Sequence, residues 1–91
     1  MIYLDNAATT LQKPEQVYKT TMYVMQKQGA NAGRGGYKLS IEAAERISDC
    51  ADAIADLFHI SDPMEIAFTV NRSLALNMAI MCVVTKNVLV F

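Results

Sequence analysis

The residues best placed to do chemistry are Val70-Asn71-Arg72-Ser73. They join a segment of strand character to one of helical character, and such a turn leaves the first N–H groups of the helix without partners. Those groups, at the positive end of a helix, can receive an anion such as a phosphate. The Ser73 hydroxyl either adds a hydrogen bond to that anion or caps its own helix, and the cap is the plainer reading. Other reactive side chains read as bland. The five lysines, Lys13, Lys19, Lys27, Lys38 and Lys86, sit in no motif and read as solvent-exposed. Cys50 and Cys82 lack metal-ligand spacing and fall on apolar helical positions, so both thiols are expected to be reduced core residues. The single His59 cannot complete a zinc site alone and reads as a capping or surface residue at a helix end.

The elements that must hold these residues follow from periodicity. Ile2 to Leu4 is short and β-prone, then gives way to the small polar run Asp5-Asn6-Ala7-Ala8-Thr9-Thr10, so residues 1–13 form an extended arm. Pro14 suits the first position of a helix reaching about Gln28, with apolar rows Val17, Thr21, Val24 and Tyr18, Met22, Met25. Gly29 stops it. The glycine-rich loop 29–37 follows, and its glycines can enter backbone conformations closed to other residues. Ser40 suits the N-cap of a second helix whose apolar face is Ala44, Ile47, Ala51, Ile54 and Phe58. Glu42, Glu45, Asp49, Asp52 and Asp56 form its solvated face. After the turn Ser61-Asp62-Pro63, the pattern predicts a strand at Glu65–Thr69, a helix from Ser73 to about Val84 and a strand at Asn87–Phe91. This β-α-β unit over 65–91 opens an α/β sheet that is left incomplete.

Composition narrows the function classes. With 91 residues and a net charge of -1, the chain reads as one globular unit or part of one. Such a length buries only about 60 to 65% of its unfolded surface, so a core standing alone is marginal. Eight basic against nine acidic side chains make no footprint for a nucleic-acid backbone. The apolar run Met78 to Val84 is too short to span a bilayer and no leader pattern opens the chain, so a cytoplasmic location is expected.

Three stretches, in order, resemble one family. They are Tyr3-Leu4-Asp5-Asn6-Ala7-Ala8-Thr9-Thr10 with Lys13-Pro14, then Asn31-Ala32-Gly33-Arg34-Gly35-Gly36 with Leu39-Ser40, then Ile66-Ala67-Phe68-Thr69-Val70-Asn71-Arg72-Ser73-Leu74-Ala75-Leu76-Asn77. Together they are similar to the amino-terminal third or less of cysteine desulfurase-like, class V aminotransferase enzymes, which depend on pyridoxal 5'-phosphate. The resemblance implies the type I fold of such enzymes, a mixed sheet flanked by helices in a homodimer. It also implies a reaction that splits L-cysteine, or a similar amino acid, into alanine and an enzyme persulfide destined for a sulfur acceptor protein. Arg72 and Ser73 match the turn that holds the cofactor phosphate. Asn6, Ala7 and Ala8 match a segment near the substrate end of the pocket, and Asn31 and Arg34 a loop near its mouth and the partner subunit. The family carries a threonine and a polar residue where this chain has Ser73-Leu74, and small residues where it has Arg72; Tyr37 and Ala32 replace a frequent histidine and proline.

The family's cofactor-bearing lysine, stacking histidine, acidic partner of the pyridine nitrogen and nucleophilic cysteine lie downstream of the matched stretch. The chain is therefore expected to be a fragment of such an enzyme, without activity of its own. Two other readings stay open: a selenocysteine lyase or aminotransferase of the same class, and a small non-catalytic interaction module that uses exposed apolar surface.

Overall fold

A computed structural model describes the backbone of residues 1–89 and the side chains of residues 1–85. Among these residues there are three α-helices and no strand: α1 (Glu15–Lys27), α2 (Lys38–Phe58) and α3 (Arg72–Leu89), with a 3₁₀ turn at Pro63–Glu65. Close contacts group the chain into two units, Met1–Cys50 and Ala51–Phe91.

In the first unit, Pro14 stands just ahead of α1, its carbonyl accepting the Val17 N–H at 2.9 Å. Glu15 in the first turn and Lys27 in the last complement the helix dipole. An exposed Lys19–Glu15 pair at 3.8 Å adds a few tenths of a kcal/mol at most, ~0.3. The arm before α1 is folded on itself: the Tyr3 hydroxyl donates to the Thr9 carbonyl at 2.9 Å, and the Ala8 N–H donates to the Asp5 carbonyl at 3.1 Å. Lys13 closes the arm onto α1, its ammonium donating to the Thr10 carbonyl at 2.7 Å and its N–H to the Tyr18 hydroxyl at 3.3 Å. The helix α2 starts two residues before the expected cap. The Tyr37 carbonyl accepts the N–H groups of Ser40 and Ile41, so Ser40 lies inside the first turn rather than capping it.

In the second unit, α2 ends in a Schellman motif. The Ile60 N–H donates to the Ala55 carbonyl at 2.9 Å, the His59 N–H points to the Asp56 carbonyl, and His59 takes the left-handed conformation at φ 57. His59 is thus a backbone cap, in a position glycine or asparagine would fill with less strain. Asp62 caps the 3₁₀ turn by accepting the Met64 N–H at 2.9 Å, with Pro63 leading it as the sequence suggests.

Several expectations are corrected. Residues 66–69 are irregular and Asn87–Leu89 continue α3, so the β-α-β unit is not seen among the described residues; residues 90 and 91 lie outside them. A strand's N–H and C=O groups need a neighbouring strand. A helix satisfies its own backbone, and the apolar run before Asn87 simply extends it. Residues 2–4 lack a ladder for the same reason. No glycine has positive φ; that conformation is taken by His59 alone among the described residues. Cys50 and Cys82 are exposed, not core. Of the apolar rows of α1, only Val24 is half-buried, and on α2 Ile47 and Phe58 are exposed.

The surface explains this. The accessible area is 8241 Å² for 10.0 kDa. A folded monomer of that mass exposes about 5,200 Å², and two separate units of half the mass about 6,300 Å² in all. The chain buries only ~43% of its unfolded surface, below the ~60% that a folded domain of such a length reaches. Ala55 is the single buried hydrophobic residue among those described. Apolar side chains that periodicity assigns to a core, such as Ile47 and Phe58, are exposed, where a layered core would have buried them.

Candidate functional site

In the second unit, the turn before α3 is built by Asn71. Its Oδ1 accepts the Leu74 N–H at 2.8 Å, and its carbonyl accepts the Ala75 N–H at 3.2 Å and the Thr69 hydroxyl at 2.9 Å. Asn71 is therefore the N-cap of α3, and Ser73 is not. Sequence reasoning missed it, although asparagine one residue before a helix is a strong cap signal. This division of labour leaves the N–H groups of Arg72 and Ser73 without acceptors among the described residues. The Ser73 hydroxyl and the exposed Arg72 guanidinium stand on the same turn. Two N–H groups, one hydroxyl and one cation at a helix N-terminus form a donor set suited to a phosphate dianion.

The first unit holds the other sequence-predicted residues. Asn6, Ala7 and Ala8 form a turn whose Ala8 N–H is tied to the Asp5 carbonyl; Asn6 lines a cleft of about 210 Å³ with Met1, Tyr3, Thr10, Leu11 and Gln12. Asn31 folds over the glycine-rich loop, its Oδ1 accepting the Gly33 N–H at 2.8 Å. Its carbonyl accepts the Ser40 hydroxyl at 2.8 Å. Arg34 is exposed and makes no ion pair among the described residues. A methyl group on Gly35 would lie 2.6 Å from the exposed Tyr37 ring, which would have to swing aside to admit it.

The loop joins α1 to α2 through polar contacts. Gln28, at the end of α1, donates from Nε2 to Glu42 at 3.3 Å and accepts from Arg46 Nε at 2.9 Å. Arg46 also lies 5.9 Å from the centre of the Tyr23 ring, within cation–π range. Glu42, placed on the solvated face by periodicity, is half-buried in this network and faces Lys38 at 3.8 Å.

A lysine amine activated for covalent chemistry is desolvated or set beside another cation. Lys13, Lys19, Lys27 and Lys38 are exposed, and three of them are engaged by Thr10, Glu15 and Glu42. The Lys86 side chain lies outside the described residues. No three His, Cys, Asp or Glu side chains converge among the described residues.

The sequence model of the family described as Aminotransferase class-V matches residues 2–89. The chain belongs to the class-V aminotransferase family. Membership implies the type I fold of pyridoxal-phosphate enzymes, whose sheet is not seen among the described residues. This class-V chain is 35% identical over 78 residues to a "Probable cysteine desulfurase" of Synechocystis sp. (strain ATCC 27184 / PCC 6803 / Kazusa), covering 86% of the chain and 18% of the relative. It is 36% identical over 78 residues to one of Streptomyces coelicolor, covering 86% and 18%. A third, from Aeropyrum pernix, is 37% identical over 79 residues, covering 87% and 19%. The class-V chain thus spans under a fifth of the length of these relatives. No solved structure matches it. No helix among the described residues is long and apolar enough to cross a membrane.

Proposed function

We propose that this chain supplies the amino-terminal part of a cysteine desulfurase-like enzyme, in which Arg72 and Ser73 hold the phosphate of pyridoxal 5'-phosphate. The observation that carries the reading is the family match over residues 2–89 together with the donor set left open by the Asn71 cap. When bound, the cofactor supplies an electron sink for amino-acid chemistry. This chain's contribution is electrostatic and positional: the N–H groups and hydroxyl at the start of α3 receive the phosphate, and the Arg72 charge balances it. Asn6, Ala7 and Ala8 line the substrate end, and Asn31 and Arg34 the mouth. The substrate is L-cysteine, the setting a cytoplasmic homodimer, and the sulfur passes to an acceptor protein. In this reading the cofactor-bearing lysine comes from outside the matched motifs, and the 91 residues alone turn over no substrate.

The test is an NMR titration of the 91-residue chain with pyridoxal 5'-phosphate and with inorganic phosphate, alongside sulfide release from L-cysteine. The expected result is saturable shifts at the Arg72 and Ser73 amides with a Kd of about 1 mM or weaker, which is what a few hydrogen bonds support, and no sulfide above that from free cofactor. Shifts spread over all cationic residues would overturn the phosphate assignment, and catalytic sulfide release would overturn the inactivity of the piece. The exposed apolar surface favours a second reading, a non-catalytic interaction module. That reading predicts a monomer that melts cooperatively at micromolar concentration, whereas the desulfurase part standing alone associates or melts without cooperativity.

A further inference from the structure

Two polar side chains are buried among the described residues, Gln28 and Ser40, and they bracket the glycine-rich loop. Burial of a polar group is unfavourable unless its hydrogen bonds are made inside. Both residues make them, and each bond runs to or from α2 or the loop. Ser40, only 1% exposed, would ordinarily bond its own turn of helix or water. Its hydroxyl instead reaches nine residues back to the Asn31 carbonyl. Asn31 is thereby held twice, by Ser40 at its carbonyl and by the Gly33 N–H at its side chain. Three residues earlier, at the end of α1, Gln28 is fixed between Glu42 and Arg46. The first unit contains no buried hydrophobic residue that would hold the loop in place. Its conformation rests on these polar bonds.

We infer that Ser40 and Gln28 are positioning residues: they tie the entry of the loop, at Gln28 and Asn31, to α2 so that Asn31 and Arg34 are presented in one preset geometry. Neither touches a ligand. Their effect passes through Asn31, whose two anchors set the backbone direction on entry to Gly33-Arg34-Gly35. The functional weight of that geometry rests on the proposed role of Asn31 and Arg34 at the mouth of the pocket. The clamp is tested without cofactor or substrate, so the two ideas fail separately.

The experiment is limited trypsin digestion of the 91-residue chain, with the rates of cleavage after Arg34 and after Arg46 followed separately by mass spectrometry. Arg46 lies inside α2 and reports on unfolding of the helix. Ser40→Ala is expected to speed cleavage after Arg34 about fivefold, the effect of one net hydrogen bond, with cleavage after Arg46 unchanged. Asn31→Ala is expected to do the same to a smaller extent, while Asn31→Asp, which keeps the acceptor for the Gly33 N–H, behaves as the unsubstituted chain. Equal acceleration at Arg34 and Arg46 would make Ser40 a merely structural residue and overturn the inference, as would an unchanged rate at Arg34. Should Ser40→Ala unfold the unit, Gln28→Ala decides: the inference stands if cleavage after Arg34 speeds up at unchanged helix content by circular dichroism, and falls if that rate is unchanged or helix content drops with it.

Discussion

Removing the Asn71 side chain should loosen the start of α3, whereas removing the Ser73 hydroxyl should not. The Asn71 Oδ1 accepts the Leu74 N–H at 2.8 Å, the geometry of an N-cap bond. Replacing such a cap by alanine costs about 1 kcal/mol, and because about 1.4 kcal/mol is a factor of ten in an equilibrium constant, the opening of the first turn should become roughly fivefold more populated. Ser73 makes no cap bond, and alanine is the better helix former by up to about 0.5 kcal/mol, so Ser73→Ala should leave that opening unchanged or reduce it about twofold. Amide hydrogen exchange at Leu74 and Ala75, followed by NMR, separates the two variants without requiring a cooperative melt. Ser73→Ala should in turn weaken the phosphate shifts at α3 that Asn71→Ala, measured under conditions where the helix is formed, largely retains. If Ser73→Ala accelerates exchange at Leu74 while Asn71→Ala does not, the cap has been assigned to the wrong residue and the open donor set at Ser73 disappears with it.

His59→Gly should stabilise the end of α2 by about 0.5 to 1 kcal/mol, because relief of left-handed strain of about 1 to 2 kcal/mol exceeds the added freedom of glycine in the unfolded chain; slower exchange at the Ile60 amide is the measurement, and no change would mean His59 is unstrained. Both thiols should react stoichiometrically with an aromatic disulfide reagent in the absence of denaturant, since Cys50 and Cys82 are exposed; protection of either until urea is added would contradict that placement. Arg72→Ala should weaken inorganic phosphate binding at α3 by about threefold to tenfold, the range of one charge-assisted contact at a solvent-exposed site, and by less at high salt. An unchanged Kd would show the guanidinium pointing away from the anion.

The helices were legible because their signals are local. Pro14, the charge order Glu15 to Lys27, and the three-four spacing through α2 each act within a turn or two. The helical boundaries were less so: Ser40 looks like a cap in sequence, and only the Tyr37 carbonyl's bonds to Ser40 and Ile41 show the helix already under way. The strands expected at 65–69 and 87–91 had the right residue types, but a ladder needs a partner strand, and helix propagation at Asn87–Leu89 does not. At the candidate site, the turn Val70–Ser73 reads from sequence as leading into a helix at Ser73; the helix begins one residue earlier, at Arg72, and its cap, Asn71, reads in sequence only as part of the turn. The apolar pattern of α1 and α2 suggested a core; with one buried hydrophobic residue described, that pattern records surfaces suited to packing rather than packing achieved.

Sequence by itself determined the family, through three ordered motifs matched over residues 2–89, and the positions of three helices, because motifs and periodicity are properties of neighbours along the chain. Only the tertiary structure decided where the polar side chains go. Ser40 meets Asn31 nine residues away, and Gln28 meets Glu42 and Arg46 fourteen and eighteen away. Partners at such separations are chosen when helices and loop come together, since many residues on each face carry the same donors and acceptors and only the assembled geometry selects one pair.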